Sequence, residues 1–422
     1  QARLIAEKSR DPRPLYQWVQ SKYPLYRQKW LQGLIKILPF ITCTLVLFYF
    51  FQIITYHGPV SLLILQLLFL QWQKKERLEA LNSVFLYKES LGIYAQMLKL
   101  LETERFNSPY LKEQQQQTLG RGQRASLKIK ELERLADWIS SRDNAFYLVI
   151  NILLLWDYQC MVALERWKHS YGQELKKWLE ALGEMEALSS LAGLAFDHPQ
   201  WAWPQVVEGE PHLQAKALGH PLIGEEERVC NDLRVQNPAP ILLITGSNMS
   251  GKSTLLRTAG INLVLAFAGA PVCAASFRCA PMKIYTSMRV GDNLEHNISS
   301  FYAELLRIKN VVDGAKRGER VFFLLDEIFK GTNSRDRHLG AKHLIRQLAK
   351  EGALGLVSTH DLELGELEKE SGGQIKNYHF REYYEDGKLS FDYKLRPGIS
   401  PTSNALYLIK LAGIEVDDLK LT

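Results

Sequence analysis

The sequence predicts an α/β domain with a mostly parallel sheet and helices on both faces, preceded by an all-α region and an N-terminal apolar helical hairpin. Three observations support this prediction. Strand-length apolar runs alternate with helical patterns after residue 206, apolar residues recur at helical spacing through most of the preceding 130 residues, and residues 34–72 are almost wholly apolar. We therefore expect four regions, which are a basic segment at 1–30, the hairpin at 31–73, a helical domain at 74–205 and the α/β domain at 206–422.

The composition bounds the class of protein. A chain of 422 residues has room for two or three domains, and a net charge of +6 does not by itself indicate a nucleic-acid binder. The five cysteines form no CxxC pair. We therefore expect reduced, buried thiols of a cytosolic protein rather than disulfides or a zinc site. A redox pair of Cys273 and Cys279 is the alternative.

The strongest motif follows an apolar run at 241–245, which has the length of a buried strand. It fits the phosphate-loop pattern G-x-x-x-x-G-K-[ST], and an amphipathic helix comes next. The glycines allow a tight turn whose N–H groups can face phosphate oxygens. Lys252 would reach the β- and γ-phosphates, and the Ser253 hydroxyl would bind Mg²⁺. The motif predicts that ATP and Mg²⁺ are bound by Gly246, Ser247, Asn248, Met249, Ser250, Gly251, Lys252, Ser253 and Thr254.

Two further strand ends carry polar side chains. Asp326 and Glu327 directly follow a five-residue apolar run, and His360 comes just after another predicted strand. In a phosphate-loop ATPase the first carboxylate holds Mg²⁺ and the second activates the attacking water. We therefore expect Asp326 to join Ser253 at the metal. We expect Glu327, Lys252 and His360 to be catalytic, with His360 reaching the γ-phosphate. A surface acidic pair and an ordinary loop histidine are the alternatives.

The N-terminal region indicates contact with a membrane. Residues 1–30 are polar and basic, and the chain from 34 to 54 is almost wholly apolar, interrupted by Lys36 and Pro39. That length suffices to cross a hydrocarbon core, which takes about 20 residues. A turn and a shorter apolar run at 60–72 follow, and basic residues flank both ends of the pair. The positive-inside bias predicts a transmembrane hairpin with both ends in the cytoplasm, so the protein would be anchored in the cytoplasmic membrane. A buried soluble hairpin is the alternative.

Residues 75–200 read as a succession of helices. We expect residues 108–122 to be a loop or a frayed helix end, because polar residues dominate this stretch. The apolar stretch 147–156 is too short to cross a bilayer alone. We expect a buried helix there, and a third membrane segment is the alternative.

The α/β region shows regular alternation of predicted elements. We expect strands at 240–245, 283–288, 321–326 and 354–358, and helices at 252–266, 299–315, 335–349 and 361–369. Two late strands, at 376–384 and 389–395, should pair antiparallel across a Glu-Asp-Gly turn, and 404–412 should form the last helix.

Four stretches in this order, GSNMSGKST, SMRVGDNLEHNISSFYAEL, FFLLDEIFKGTNSRD and VSTHDLEL, resemble the ATPase domain of MutS mismatch-repair proteins. The resemblance covers residues 210–415 well, and the helical stretch is weakly similar to the family's core and lever region. It implies an α/β P-loop ATPase domain in a homodimer with composite ATP sites. Ser299 resembles the signature serine that contacts the γ-phosphate of the partner subunit's ATP. Asp336 falls in the loop that crosses the dimer interface, and His360 resembles the switch histidine.

The chain also departs from the repair enzymes. We expect too few residues ahead of the helical region for a mismatch-reading domain, and too short a helical region for long DNA-clamping levers. Ile298 stands where the repair enzymes have arginine. The apolar hairpin resembles instead the membrane-associated MutS-related proteins.

Two functions from different classes follow. In the first, the chain is a MutS-family ATPase whose ATP cycle drives a dimeric switch, with binding of mismatched or structured DNA and DNA repair implied by the family. In the second, it is a membrane-anchored ATP-driven switch that acts on a protein or membrane partner without binding DNA. DNA binding would require a basic groove. The candidate residues, which could equally be solvated helix surface, are Lys128, Lys130, Arg134, Arg142, Arg166, Lys168, Lys176 and Lys177.

Overall fold

The structure is a computed structural model that describes residues 10–120, 123–140, 146–288, 300–329, 331–385 and 388–400. Its internal contacts divide the chain into two compact units, residues 1–190 and residues 191–422.

The described part of the first unit is helical. Its helices are α1 Arg13–Gln20, α2 Lys29–Phe50, α3 His57–Gln71, α4 Lys74–Phe85, α5 Lys88–Thr103, α6 Pro109–Thr118, α7 Ala125–Ser140, α8 Tyr147–Leu154 and α9 Trp156–Asp197. Helix α6 corrects the prediction of a loop at 108–122. Proline at its first position fits the helix start, and glutamine is a good helix former, so the polar composition excluded a core but not a helix.

The core of this unit follows from helical spacing. Leu91 and Leu98 of α5 lie one heptad apart, Ile129, Leu132 and Ala136 of α7 lie on one helical face, and all are fully buried. Helices α5 and α7 pack against each other along much of their length. Burial of these side chains is the main stabilising term of the unit.

Helices α2 and α3 are consecutive, apolar and in contact with each other. Phe40 is 74% exposed and Leu68 is 64% exposed. Among the described residues, α2 is the one helix long and apolar enough by itself to cross a membrane, and α3 is shorter. Whether the pair spans a bilayer stays a prediction.

Helix α8 does not match its prediction of a buried helix. Phe146 is 69% exposed, Leu148 is 63% exposed and Val149 is 53% exposed, whereas Asn151 is buried. Apart from Asn151 the helix is mainly apolar, so the side that carries Asn151 can be packed while the other side remains uncovered. Helix α8 contacts both α2 and α3.

The second unit contains the predicted sheet. The six strands that form it are β4 Ile241–Thr245, β6 Lys283–Ser287, β7 Val321–Asp326, β8 Leu354–Ser358, β9 Ile375–Glu385 and β10 Lys388–Pro397. Their spatial order is β10-β9-β4-β8-β7-β6, and all neighbours are parallel except the antiparallel pair β9–β10. The helices beside this sheet are α10 Lys252–Phe267, α11 Ser300–Lys316, α12 Ser334–Lys350 and the short α13 Leu367–Glu370.

Alternating residues of the central strands face two separate cores. Leu242 and Ile244 of β4 lie in a core with α10, whereas Ile241 and Leu243 lie in a second core with α11 and α12. This arrangement results from the period of two along a strand, with both faces of a parallel sheet covered.

A second, four-stranded sheet was not predicted. Its strands are β1 Gln205–Val206, β2 His212–Leu218, β3 Asn231–Gln236 and β5 Ser276–Cys279, in the order β1-β5-β2-β3. These strands are short and half exposed, so they lack the continuous apolar runs of the parallel sheet.

Two smaller predictions differ from the structure, and a third lies outside the described residues. The predicted helix 361–369 is a 3₁₀ turn, Leu362–Glu366, followed by α13. Cys43 is exposed on α2 and Cys230 is half-buried, so only three of the five cysteines are buried as predicted. The predicted last helix at 404–412 lies outside the described residues.

Candidate nucleotide-binding site

The phosphate loop connects the buried end of β4 to the first turn of α10. Gly246 has φ +148° and Gly251 has φ +106°, values that favour glycine over other residues. A Cβ at Gly246 would lie 2.8 Å from Ser250 Oγ and 3.2 Å from the carbonyl oxygen of Phe380. Both glycines of the motif are therefore required by backbone conformation, and the one at 246 also by close packing.

Lys252 is buried and lies within this loop. Its Nζ donates to the carbonyl oxygens of Gly246 at 2.9 Å and Ser247 at 2.7 Å. It also lies 3.4 Å from His360 Nε2 and 4.0 Å from Glu327 Oε1. The ammonium is thus held between the phosphate loop and the two polar strand ends predicted to join it.

The order of the strands explains this meeting. Strand β8 lies between β4 and β7, and all three are parallel, so their carboxyl ends share one edge of the sheet. His360 follows β8 and therefore lies between Lys252 and Glu327. Ligand sites of open parallel sheets form at this edge.

Asp326 accepts two hydroxyl hydrogen bonds at the end of β7. Ser253 Oγ donates to Asp326 Oδ1 at 2.9 Å, and Ser358 Oγ donates to the same oxygen. Ser358 is fully buried and pairs in register with Asp326 across β7–β8. The backbone N–H of Glu327 in turn donates to both the carbonyl oxygen and Oγ of Ser358, each at 3.1 Å.

Glu327 occupies an unusual backbone position. Its φ is +50° and that of Phe329 is +61°, conformations that cost a non-glycine residue about 1 kcal/mol or more. The turn is held by Ser358 on one side and by the carboxylate of Glu304 on α11, whose Oε1 accepts from Phe329 N at 2.6 Å. The Glu327 carboxylate Oε1 lies 2.8 Å from His360 Nε2.

A cavity of about 470 Å³ opens over these groups. The phosphate loop from Asn248 to Thr254 lines it, together with Arg257, Glu304, Asp326 and Glu327. The Oγ atom of Ser250, which lines the cavity, and that of Ser247, in the same loop, are buried without a hydrogen-bond partner. Polar atoms buried without partners are rare, so these hydroxyls fit a site that receives a polar ligand. Ser253 and Asp326 supply the oxygen donors that Mg²⁺ prefers.

The hairpin of β9 and β10 supports the phosphate loop. The register of this pair shifts between Phe391 and Leu395, and Tyr393 has φ +52°. A Cβ on Gly251 would lie 3.2 Å from the Tyr393 ring. Asp392 accepts hydrogen bonds from Arg396 across the same irregularity, and this contact lowers the pKa of Asp392 to about 2.

The remaining predicted residues are Ser299 and Asp336. Ser299 lies outside the described residues. Asp336 is not in a loop: it lies in the first turn of α12, where Asn333 Oδ1 accepts from its N–H at 2.9 Å and its carboxylate accepts from Asn333 Nδ2 at 2.7 Å. The Asn-x-x-Asp spacing is a capping pattern, which the sequence contained and the prediction overlooked.

Four of the eight residues proposed for a basic surface form ion pairs with glutamates. Lys168 is buried, where it pairs with Glu165 and donates to the carbonyl oxygen of Ser21 at 3.0 Å. Lys128, Lys176 and Lys177 each pair with a nearby glutamate. Lys130, Arg134 and Arg166 are exposed, and Arg142 lies outside the described residues.

Comparison with known proteins shows which family this architecture resembles. Residues 242–418 match the protein-family model described as MutS domain V. This part of the chain is similar to MutS domain V. The match begins inside β4, and it contains the phosphate loop, Asp326, Glu327 and His360.

The similarity to MutS proteins extends beyond domain V. The chain is 32% identical over 337 residues to the DNA mismatch repair protein MutS of Aquifex pyrophilus, an alignment that covers 78% of this chain and 37% of that protein. It is 34% identical over 251 residues to MutS of Carboxydothermus hydrogenoformans, which covers 58% of this chain and 29% of that protein. The chain thus spans less than two fifths of the length of these relatives.

Proposed function

We propose that this chain binds and hydrolyses ATP at the cavity over its phosphate loop. The observation that carries the proposal is the convergence of four groups at one sheet edge, namely Lys252, the Ser253–Asp326 pair, Glu327 and His360. Lys252 would exchange its carbonyl partners for the β- and γ-phosphates, and the loop's N–H groups and helix α10 would hold the remaining phosphate charge.

The catalytic roles follow from position. Glu327 would orient and deprotonate the attacking water, and His360 would contact the γ-phosphate and so release the Glu327 carboxylate that it faces in this structure. Ser253 and Asp326 would hold Mg²⁺, which when bound neutralises charge on the phosphates.

The proposal includes a dimer. Ser299 would complete the partner subunit's site by contacting its γ-phosphate, so ATP binding would close two subunits over two nucleotides. Helix α11 supports this assignment because it begins at Ser300 and is tied to the catalytic turn by the Glu304–Phe329 hydrogen bond. A shift of helix α11 would thereby move the turn that carries Glu327.

DNA is the partner that the names of the relatives suggest, because they are described as DNA mismatch repair proteins. We propose mismatched or structured DNA as the ligand of the dimer and DNA repair as its setting.

A second candidate, a membrane-anchored switch that acts on a protein or membrane partner without DNA, is favoured by one observation. Helix α2 is 22 residues long, and only 17% of an apolar 18-residue stretch within it is buried.

One experiment tests the proposal and separates the two candidates. ATP turnover by the purified chain in lipid nanodiscs is measured with Mg²⁺, with and without duplex DNA carrying mismatches or branches. Mg²⁺-dependent turnover that is absent from Lys252→Ala supports the ATPase, and failure of the intact chain to bind ATP overturns it. Stimulation by DNA that disappears at high salt supports the DNA candidate. Turnover indifferent to DNA supports the membrane switch.

A further inference from the structure

Helix α8 presents an apolar surface that packing within the first unit leaves open. Leu148 and Val149 are more than half exposed, and the ten residues from Phe146 to Leu155 contain no charged side chain. The one strongly polar side chain among them, Asn151, is turned inward and buried. An exposed apolar surface of this kind marks an interaction site.

The neighbours of α8 indicate what covers it. Helix α8 contacts α2 and α3, and no Asp, Glu, Lys or Arg occurs between Lys36 and Lys74. Phe40 of α2 and Leu68 of α3 are also exposed. Lipid that contacts the exposed sides of α2 and α3 would therefore also contact α8. Helix α2 rises about 33 Å over its length, which matches a hydrocarbon core of about 30 Å.

A buried polar cluster fixes α8 at one end of that pair. Tyr158 OH donates to the carbonyl oxygens of Phe69 at 2.9 Å and Trp72 at 3.0 Å, at the end of α3. Arg77 donates to the Trp72 carbonyl oxygen at 3.0 Å and lies 4.0 Å from Asp157. The Trp72 carbonyl oxygen lies just beyond the last turn of α3, and these contacts supply it with donors.

The same cluster sets the direction of α8. Asn151 Nδ2 donates to Asp157 Oδ2 at 3.1 Å, and Asp157 N donates to Asn151 Oδ1 at 3.0 Å. Leu155 has φ +51°, and α8 meets α9 at an angle of 71°. The polar side of α8 is thus fastened to the start of α9 while its apolar side remains outward.

We infer that α8 is a third membrane-embedded segment, a half-length helix inserted into the leaflet next to the basic residues Lys74 and Lys75. It spans about 12 Å, too little to cross a bilayer but enough to lie within one leaflet. The bend after Leu155 directs the chain out of the leaflet again. This inference rests on the membrane-anchored form of the proposed function, and it adds an element that the hairpin alone does not require.

The test uses a fluorescent environment probe on single cysteines, in the full chain with exposed Cys43 and half-buried Cys230 replaced by alanine. Leu148→Cys carries the probe on α8. Phe40→Cys and Leu68→Cys report on α2 and α3. Leu127→Cys on α7 is the matched control, because Leu127 is 60% exposed and Leu148 is 63% exposed. The labelled proteins are placed in nanodiscs with nitroxide-bearing lipids, and aqueous iodide is the opposing quencher.

The inference predicts that nitroxide lipids quench most of the fluorescence at 148, as at 40 and 68, and that iodide quenches only at 127. Quenching at 148 by iodide overturns it. So does protection at 148 from both quenchers, which would mean that protein covers α8. If 40 and 68 also escape the lipid quencher, membrane anchoring itself fails. If they are quenched and 148 is not, this inference alone fails. Equal elution volumes and melting temperatures verify that the variants are folded.

Discussion

His360 Nε2 lies 2.8 Å from Oε1 of Glu327, so the two side chains predicted to act on the γ-phosphate and on the attacking water contact each other directly. Lys252 Nζ lies 3.4 Å from the same imidazole nitrogen. The three groups form one chain of contacts at the carboxyl edge of the sheet. A phosphate entering between Lys252 and His360 would compete with Glu327 for both partners. Under the proposed function, this competition would couple nucleotide binding to release of the Glu327 carboxylate.

The first prediction concerns the Glu327 carboxylate. Glu327→Gln keeps the size of the side chain but removes the base, so turnover should fall by about 10²- to 10⁴-fold while ATP affinity changes little. Single-turnover hydrolysis and equilibrium binding of ATP measure the two effects separately. Glu351→Gln, at an exposed position after α12, is the control. Unchanged turnover in Glu327→Gln would remove this residue from the catalytic role.

The second prediction concerns the composite site. Lys252→Ala should lose ATP binding because the phosphate charge loses its buried cationic partner, and Ser299→Ala should retain binding but lose turnover. Mixing the two variants tests the action of Ser299 across subunits. In a mixed dimer one site would combine an intact phosphate loop with an intact Ser299, so activity should reappear. Mixtures as inactive as the separate variants would show that Ser299 does not act in trans.

The third prediction concerns Ser358, which bonds to Asp326 and to the backbone of Glu327. Ser358→Ala should reduce turnover by about 10-fold or more, because residues that orient metal ligands typically contribute this much. The Mg²⁺ concentration for half-maximal turnover should rise as well, which a purely structural defect would not cause. Ser83→Ala, on the exposed side of α4, is the matched control. A normal Mg²⁺ dependence would argue against a positioning role for Ser358.

The fourth prediction concerns pH. The hydrogen bonds from Arg396 lower the pKa of Asp392 to about 2, below the ordinary value of 3.8. A lowered folded-state pKa stabilises the fold above the unfolded value, and this contribution is lost as the pH falls from about 4 to about 2. Asp392→Asn should therefore lower the free energy of unfolding at pH 7 by about 1 kcal/mol, a value limited by solvent screening. The difference from the unsubstituted chain should shrink as urea unfolding is repeated from pH 5 to pH 3. A difference that is independent of pH would exclude the ion pair as its cause.

The fifth prediction concerns the thiols. Burial raises the pKa of Cys273 and Cys279 to about 11, so both are protonated thiols at pH 8 and should react slowly with maleimides until the protein unfolds. The half-buried Cys230 should react first. Cys43, on α2, should be protected from a charged maleimide in nanodiscs if that helix spans the bilayer. Mass spectrometry of peptides after timed labelling measures all four rates, and labelling of Cys43 as fast as Cys230 would contradict membrane burial.

The parallel sheet could be predicted from the sequence because its central strands are encoded in short contiguous stretches. Strands β4, β7 and β8 are continuous apolar runs, and buried strands of parallel sheets have this composition. The four-stranded sheet could not be found in this way. Its strands alternate between buried and exposed residues over short lengths, and β1 pairs with β5, which lies far away in sequence.

The same division holds for side chains at the site. The phosphate-loop residues and Asp326 belong to motifs whose spacing carries their chemistry. Ser358 and Glu304 do not, because their roles depend on strand register and on the packing of α11 against the turn after β7. Likewise, the apolar composition of α8 was visible in the sequence, but its exposure was not, because exposure depends on which neighbours pack around the helix.

The phosphate loop, the acidic strand end, the central strands and the apolar N-terminal helices could thus all be predicted from local sequence patterns. Each of these is encoded in a short contiguous stretch through periodicity or motif spacing. The tertiary structure decided that His360 lies between Lys252 and Glu327, because only the strand order places β8 between β4 and β7. It also decided that Lys168 is buried while Leu148 is exposed. The physical reason is that burial and side-chain pairing are properties of neighbours distant in sequence, which local patterns do not specify.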